Sequence, residues 1–514
     1  WLRSEYGDLD TLNRTWNTRY SDWEDVMPDR GTRQSPCAVN IAWAYYMDNV
    51  QIPRVLRARA EALRDADPLH RPVFAHKAAP TIGAGQDWTY ARCQDFLGSS
   101  CYPAWSPFQP WDDRPTPVDE AAYHHASLLA EMYSVALQYD YLRSCQAPGK
   151  PVWAAEFQGG PVNTGLHKGR VPSAEDLRRW VLTAVGSGVT ALSFWVTRAE
   201  IMAGETNGFS LLDSTGDTTS RFEEASRLGQ LLNTHPDLFG QPTWPGAPVA
   251  LLVDEWNWQL ERLLDLPGQL PYSVRGWHRL LWEAGIPVDF LEARHLQETD
   301  LSRYPALVWP FPLSASEDLV QTLSAYVAAG GNLISEACPG RLSRQAFASR
   351  GELSPAAREL FGVEHAGLVM VSEPERPHRW LPRERTWGEF APPAFLRGTG
   401  LLDGQQARAD FYLETFTCRG CEPCLLAGDA VAGTVRQVGS GRAWLLGTLL
   451  GHSGTAYREE HTPAFVRALL ARSGVSPAHP GRLLLRKRVT PAVEAWLFTN
   501  PLPVAVTEQV HVAG

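Results

Sequence analysis

Glu156 ends an apolar run in KPVWAAEFQGG (150–160). In a parallel α/β barrel the carboxyl ends of the strands carry the active site. A carboxylate there, followed by glycines that let a ligand approach, suits a nucleophile. A carboxylate that merely caps the next loop leaves the same pattern. Glu5, in SEYG (4–7), raises a related question, because a carboxylate before Tyr-Gly suits the scissile bond of a sugar-cleaving enzyme. Only four residues precede it, so no apolar strand leads into it. Thiols offer other chemistry. Cys418, Cys421 and Cys424 fall at CxxCxxC spacing in TCRGCEPC, which could bind zinc with a fourth ligand, form a disulfide, or stay free. Cys338, in ISEACPG, follows a strand, with His365 as a conceivable base. Glu336 stands where a tight nucleophile elbow needs its first glycine, so catalysis is not expected there.

The elements that must hold these residues read as alternating strands and helices. RPVFAHKA (71–78), DFLGSSCYP (95–103), KPVWAAEFQGG and TALSFWV (190–196) are short apolar runs. Between them lie the amphipathic stretches 118–145 and 173–188. Ser173 can cap the second, and Gly186 and Gly188 can end it. Strand–helix alternation predicts a parallel sheet with crossovers. Four strands are visible, whereas a closed barrel needs eight. A Pro/Gly stretch near 243 precedes VALLV, VDFL (288–291), ALVWP (306–310) and NLISEA (332–337), with helical segments between. This second region reads as a doubly wound α/β domain, with GSGRAWLLGTLLG (439–451) adding a late strand. From about 480, LLLRKRV and VEAWLFTN alternate like antiparallel strands.

Net charge is −10, so a nucleic-acid backbone is an unsuitable partner. No apolar run is long enough for a membrane helix. Twenty Trp and fifteen Tyr fit large cores, and also the stacking of aromatic faces on sugars.

At PVWAAEFQGGPVN (151–163) the chain resembles the nucleophile strand of family 42 glycoside hydrolases, the β-galactosidases of clan A. The resemblance runs through WLRSEYGDLDTLNRTWNTRYSDW (1–23), YDYLRSCQAPGKPVWAAE (139–156) and FWVTRAEIMAGETNGFSLLDSTG (194–216). It continues through VALLVDEWNW, YPALVWPFPLS and AYVAAGGNLISEA, similar to that family's trimerisation domain. It implies the C-terminal half of a (β/α)8 TIM barrel (1–242, strands five to eight), a flavodoxin- or amidotransferase-like trimerisation domain (243–478) and the start of a small β domain (479–514). It implies a retaining β-glycosidase acting on terminal β-D-galactosides, with Glu156 as nucleophile, no cofactor, and a homotrimer. The acid/base Glu of the family precedes the helix that WLRSEYG matches, so it is expected upstream of residue 1. Glu5 then falls on that helix's solvated end, and the chain by itself is expected to be inactive. A cytoplasmic location is expected.

The resemblance also assigns Tyr102 to the end of the sixth strand near the nucleophile, and Glu205 to sugar hydroxyls. Trp195 and Arg198 lie on or just after the eighth strand, where a Trp could floor the sugar site or belong to the barrel core. Two positions depart from the family pattern. Thr164 replaces a Trp and Gly208 replaces a His, both galactose contacts in the family. Sites that hydrogen-bond a hydroxyl discriminate strongly, so a β-mannoside, β-glucoside or α-arabinoside is an alternative substrate. A non-catalytic carbohydrate-binding or assembly protein is the other.

Overall fold

The computed structural model describes residues 1–28, 38–104, 120–164, 167–264, 269–371, 395–457 and 459–510. Four short strands form the first sheet: β1 (His76–Lys77), β2 (Gly98–Cys101), β3 (Trp153–Gln158) and β4 (Ala191–Trp195). They pair in sequence order and all in parallel, within the four runs expected from sequence. The crossovers include helices Glu120–Cys145 and Ala174–Gly186. Ser173 caps the second, accepting from the Asp176 amide while Asp176 accepts from the Ser173 amide. The helix ends at Gly186, and Gly188 takes a positive φ of 104° just beyond it.

The second sheet has nine strands. Its parallel part contains β5 (Val249–Val253), β6 (Val288–Glu292), β7 (Ala306–Trp309) and β8 (Asn332–Ser335), then Gly441–Leu446. Read across the sheet, the order is second, first, third, fourth, fifth, the flavodoxin-like arrangement. β5 and β7 are buried along their whole length, as a sheet covered on both faces requires. Antiparallel strands Ala430–Val438, Glu422–Ala427, Phe395–Gly398 and Gln406–Arg408 extend it beyond Gly441–Leu446. A separate ribbon pairs Val363–Val371 with Phe411–Cys418. The sequence pattern missed both of these features.

Helix Glu120–Cys145 is shared between the two regions. Val135, Tyr139 and Leu142 pack in the core of the first sheet. Met132, Ala136, Leu137 and Tyr141 join Val249, Trp277 and Phe290 of the second. A helix apolar on all sides is a buried one. Its polar residues are paired: Arg143 Nη1 donates to Asp140 (2.7 Å) and Nη2 to Asp289 (2.8 Å). Asp140 also meets His278 Nε2 at 2.9 Å. The C-terminal hairpin, Leu484–Val489 with Glu494–Thr499, packs against the first region. Its Arg488 is fully buried and donates to the carbonyls of Val185 and Val189, each at 3.0 Å.

Candidate active site

Glu156 owes its direction to an irregularity in β3. Ser99 pairs with Ala154, but the next residue, Ser100, pairs with Glu156, so β3 carries one extra residue. The pairing with β4 shifts at the same place. Such bulges re-aim side chains and concentrate beside active sites. Here Ala154 and Phe157, three apart, both reach the fully buried helix-facing core. Strict alternation would have sent them to opposite faces. The carboxylate between them is left partly open, with 23% of its side chain exposed.

Three side chains surround it. Ser100 Oγ donates to Glu156 Oε2. His76 Nε2 lies 2.5 Å from Ser100 Oγ and 3.7 Å from Glu156 Oε2. Tyr102, just past β2, hydrogen-bonds Glu156. Burial first, then the Glu156 charge and hydrogen bond, then the Glu205 charge, push its phenol well above the ordinary range, so it stays a protonated donor. Its ring meets Phe209 edge-on at 5.5 Å. At the end of β4, Trp195 is half-buried and its Nε1 donates to Glu205 Oε2 at 3.2 Å. Glu156, Tyr102, Glu205 and Trp195 therefore form one group.

Arg198 is exposed, its guanidinium 3.7 Å from where a Cβ on Gly216 would lie. Among the described residues no hydrogen bond or ion pair ties it to the other four. Glu5 is exposed on helix Leu2–Tyr6. The glycines after Glu156 serve a different purpose from the one expected. A Cβ on Gly160 would sit 2.2 Å from the Ser210 carbonyl oxygen, and one on Gly159 would sit 3.0 Å from Leu211. They admit the backbone of the loop after β4, which brings Phe209 against Tyr102.

The thiols take no comparable position. Cys338 has a positive φ of 69°, as a nucleophile elbow would, but burial and the nearby Glu414 push its thiol well above the ordinary range. His365 faces Glu352 at 3.0 Å and Glu414 at 3.4 Å. The Cys418 thiol contacts that of Cys421, and Cys424 is fully buried. The seven described cysteines are free, and Cys37 lies outside the described residues. Among the described residues, no group of three or more His, Cys, Asp or Glu is arranged to hold a metal ion. None of the described helices is long and apolar enough to cross a membrane.

A parallel sheet that brings a carboxylate, a phenol and an indole together at its strand ends has the layout of the (β/α)-barrel glycoside hydrolases. The glycoside hydrolase 42 description, "Beta-galactosidase", matches residues 1–235, and "Beta-galactosidase trimerisation domain" matches 247–384. The chain belongs to this β-galactosidase family. Beta-galactosidase GanA of Bacillus subtilis is 25% identical over 71% of this chain and 53% of its own length. Beta-galactosidase BglY of Alicyclobacillus acidocaldarius is 23% identical over 88% of this chain and 62% of its own. The chain thus spans between half and two thirds of these relatives. A catalytic mutant of Gan42B, a family 42 β-galactosidase from G. stearothermophilus, superposes with a TM-score of 0.77 at 20% identity, covering 98% of this chain and 69% of that one. The fold is therefore that of the family 42 TIM-barrel enzymes, with the α/β trimerisation domain following the barrel strands.

Proposed function

We propose that Glu156 is the nucleophile of a retaining β-glycosidase acting on terminal β-D-galactosides. The observation that carries this reading is the bulged strand end, where the Glu156 carboxylate is partly open yet held by Ser100 and Tyr102. A Glu156 oxygen bonds to the anomeric carbon as the bond to the aglycone oxygen breaks. The aglycone oxygen takes that electron pair and a proton from a carboxylic acid about 5–5.5 Å away. Water then attacks the anomeric carbon and gives its proton to the conjugate base of that acid, while Glu156 leaves with its electron pair. Tyr102 donates to the departing carboxylate. Trp195 offers an aromatic floor, and Glu205, steadied by the indole N–H, takes sugar hydroxyls. Arg198, exposed at the mouth of the same loop, contributes to binding from the rim.

Homotrimer formation is the assembly that the trimerisation-domain match supports. A cytoplasmic location belongs to the same reading.

Gly208 favours a second reading, hydrolysis of another glycoside, because it offers no side-chain donor where the resembled family has His. The test is to incubate the product of the complete gene with a 2-fluoro β-galactoside and map the label by mass spectrometry. Label on the Glu156 peptide is expected. If only a 2-fluoro sugar of another configuration labels that peptide, the mechanism stands and galactose is withdrawn. If no sugar labels it, a binding or assembly role replaces catalysis.

A further inference from the structure

His76 lies on β1, which pairs with β2, and Ser100 lies on β2, which pairs with β3. Their contacts fix a direction of hydrogen bonding. An ionised carboxylate only accepts, and a serine hydroxyl has a single proton. The Ser100 proton goes to Glu156 Oε2, so its oxygen must accept from His76. Nε2 of His76 therefore carries a hydrogen, and in the neutral ring Nδ1 is the unprotonated nitrogen. The Ser100 backbone is itself pinned, its carbonyl accepting from Gln138 Nε2 on helix Glu120–Cys145. His76 is the outermost member, with 38% of its side chain exposed.

We propose that His76 is a positioning residue for the nucleophile, acting through Ser100. The relay runs from His76 Nε2–H to Ser100 Oγ–H to Glu156 Oε2, and it rests on the reading of Glu156 as nucleophile. Without the imidazole donor, the Ser100 hydroxyl is free to turn its proton elsewhere, and Glu156 loses one of the two hydrogen bonds that orient it. The orientation matters in both halves of the cycle: the carboxylate must face the anomeric carbon to attack, and must be received as an anion when it leaves. No cavity filling or substrate contact is required of His76.

The side-chain geometry supplies a selective test. A glutamine at 76 carries its amide nitrogen about as far from the backbone as imidazole Nε2. An asparagine places it nearer the position of Nδ1. The product of the complete gene and its His76→Ala, His76→Gln and His76→Asn variants are treated with 2-deoxy-2-fluoro-β-galactosyl fluoride. The first-order inactivation rate and the half-saturating concentration are measured, and the labelled peptide is mapped. Loss of a hydrogen bond to a charged group should slow inactivation of His76→Ala by roughly 10- to 100-fold, with half-saturation unchanged. His76→Gln should regain most of that rate, and His76→Asn should stay as slow as His76→Ala. Because His76 is exposed, all three variants should melt with the parent protein. Inactivation of His76→Ala at the parent rate overturns the relay, as does equal rescue by Asn and Gln. A parent protein labelled at some residue other than Glu156 overturns the assignment beneath it, which the mapped peptide distinguishes.

Discussion

Glu156, near the carboxyl end of β3 in the first sheet, and Glu336, just past β8 in the second, live in opposite surroundings. Glu156 lies at the bulge of β3 with 23% of its side chain exposed. Glu336 follows β8 and has no exposed surface. Its Oε1 accepts from Trp277 Nε1 at 2.9 Å and the Gly451 amide at 2.6 Å, and Oε2 accepts from the Phe311 amide at 2.9 Å. Burial outweighs these donors and pushes its carboxyl up to about 7. Strand-end position alone therefore does not leave a carboxylate open to a ligand. Glu336 spends its acceptors on three protein groups, tying an α/β core together. Glu156 keeps an open side for a ligand.

The largest effect should come from Glu156→Gln. If Glu156 is the nucleophile proposed above, kcat of the product of the complete gene should fall by on the order of 10⁴-fold or more, with an unchanged melting temperature. Aryl galactoside turnover and a thermal melt would check this, and a variant that melted early would erase the contrast. Glu336→Ala should do the reverse. It orphans three buried N–H donors and should cost about 3 kcal/mol or more in urea unfolding, while the specific activity of folded protein persists.

A third test asks whether the second region holds its buried carboxyls neutral. Glu261 accepts from the Leu270 amide at 2.8 Å, and burial pushes it from 4.5 up to about 8. Below pH 4.5 both the folded and unfolded forms carry the proton. As pH rises from 4.5 to about 8, the unfolded chain has shed it and the folded chain has not, so this group's contribution to stability falls. Glu261→Gln should match the parent's melting temperature in acid and gain on it steadily up to pH 8. A constant difference across that range would show that Glu261 does not titrate this way. The smallest effect belongs to Ser173→Ala, which removes a helix cap and should cost about 1 kcal/mol without touching turnover. Though Ser173 lies in the first region, it should behave like Glu336 and not like Glu156.

Much of the framework was legible because local rules and tertiary structure agree there. The four apolar runs became parallel strands, and Ser173 capped the helix it precedes. The resemblance named Glu156, Tyr102, Glu205 and Trp195, and the structure brings these four side chains together. The bulge was not, because a run such as VWAAEF gives no sign of which residue lacks a partner. His76 and Ser100 were missed for a related reason. Neither stands in a recognisable motif, His76 beside Lys77 and Ser100 beside Ser99, and only the pairing of β1 with β2 and β2 with β3 brings them to Glu156. The ribbon of Val363–Val371 with Phe411–Cys418 joins segments forty or more residues apart, a pairing that neither segment announces.

The buried Arg488 has a consequence for how the molecule is made. Its guanidinium caps the carbonyls of Val185 and Val189, and it is separated from Val189 by 299 residues of chain. At synthesis rates of roughly 5–20 residues per second, those carbonyls wait roughly 15–60 s for their partner. Val185 and Val189 leave the ribosome well before Arg488, so this seam closes only once the later strand has emerged. Throughout that interval the nascent protein presents an unfinished surface, the stage at which a chaperone would find it.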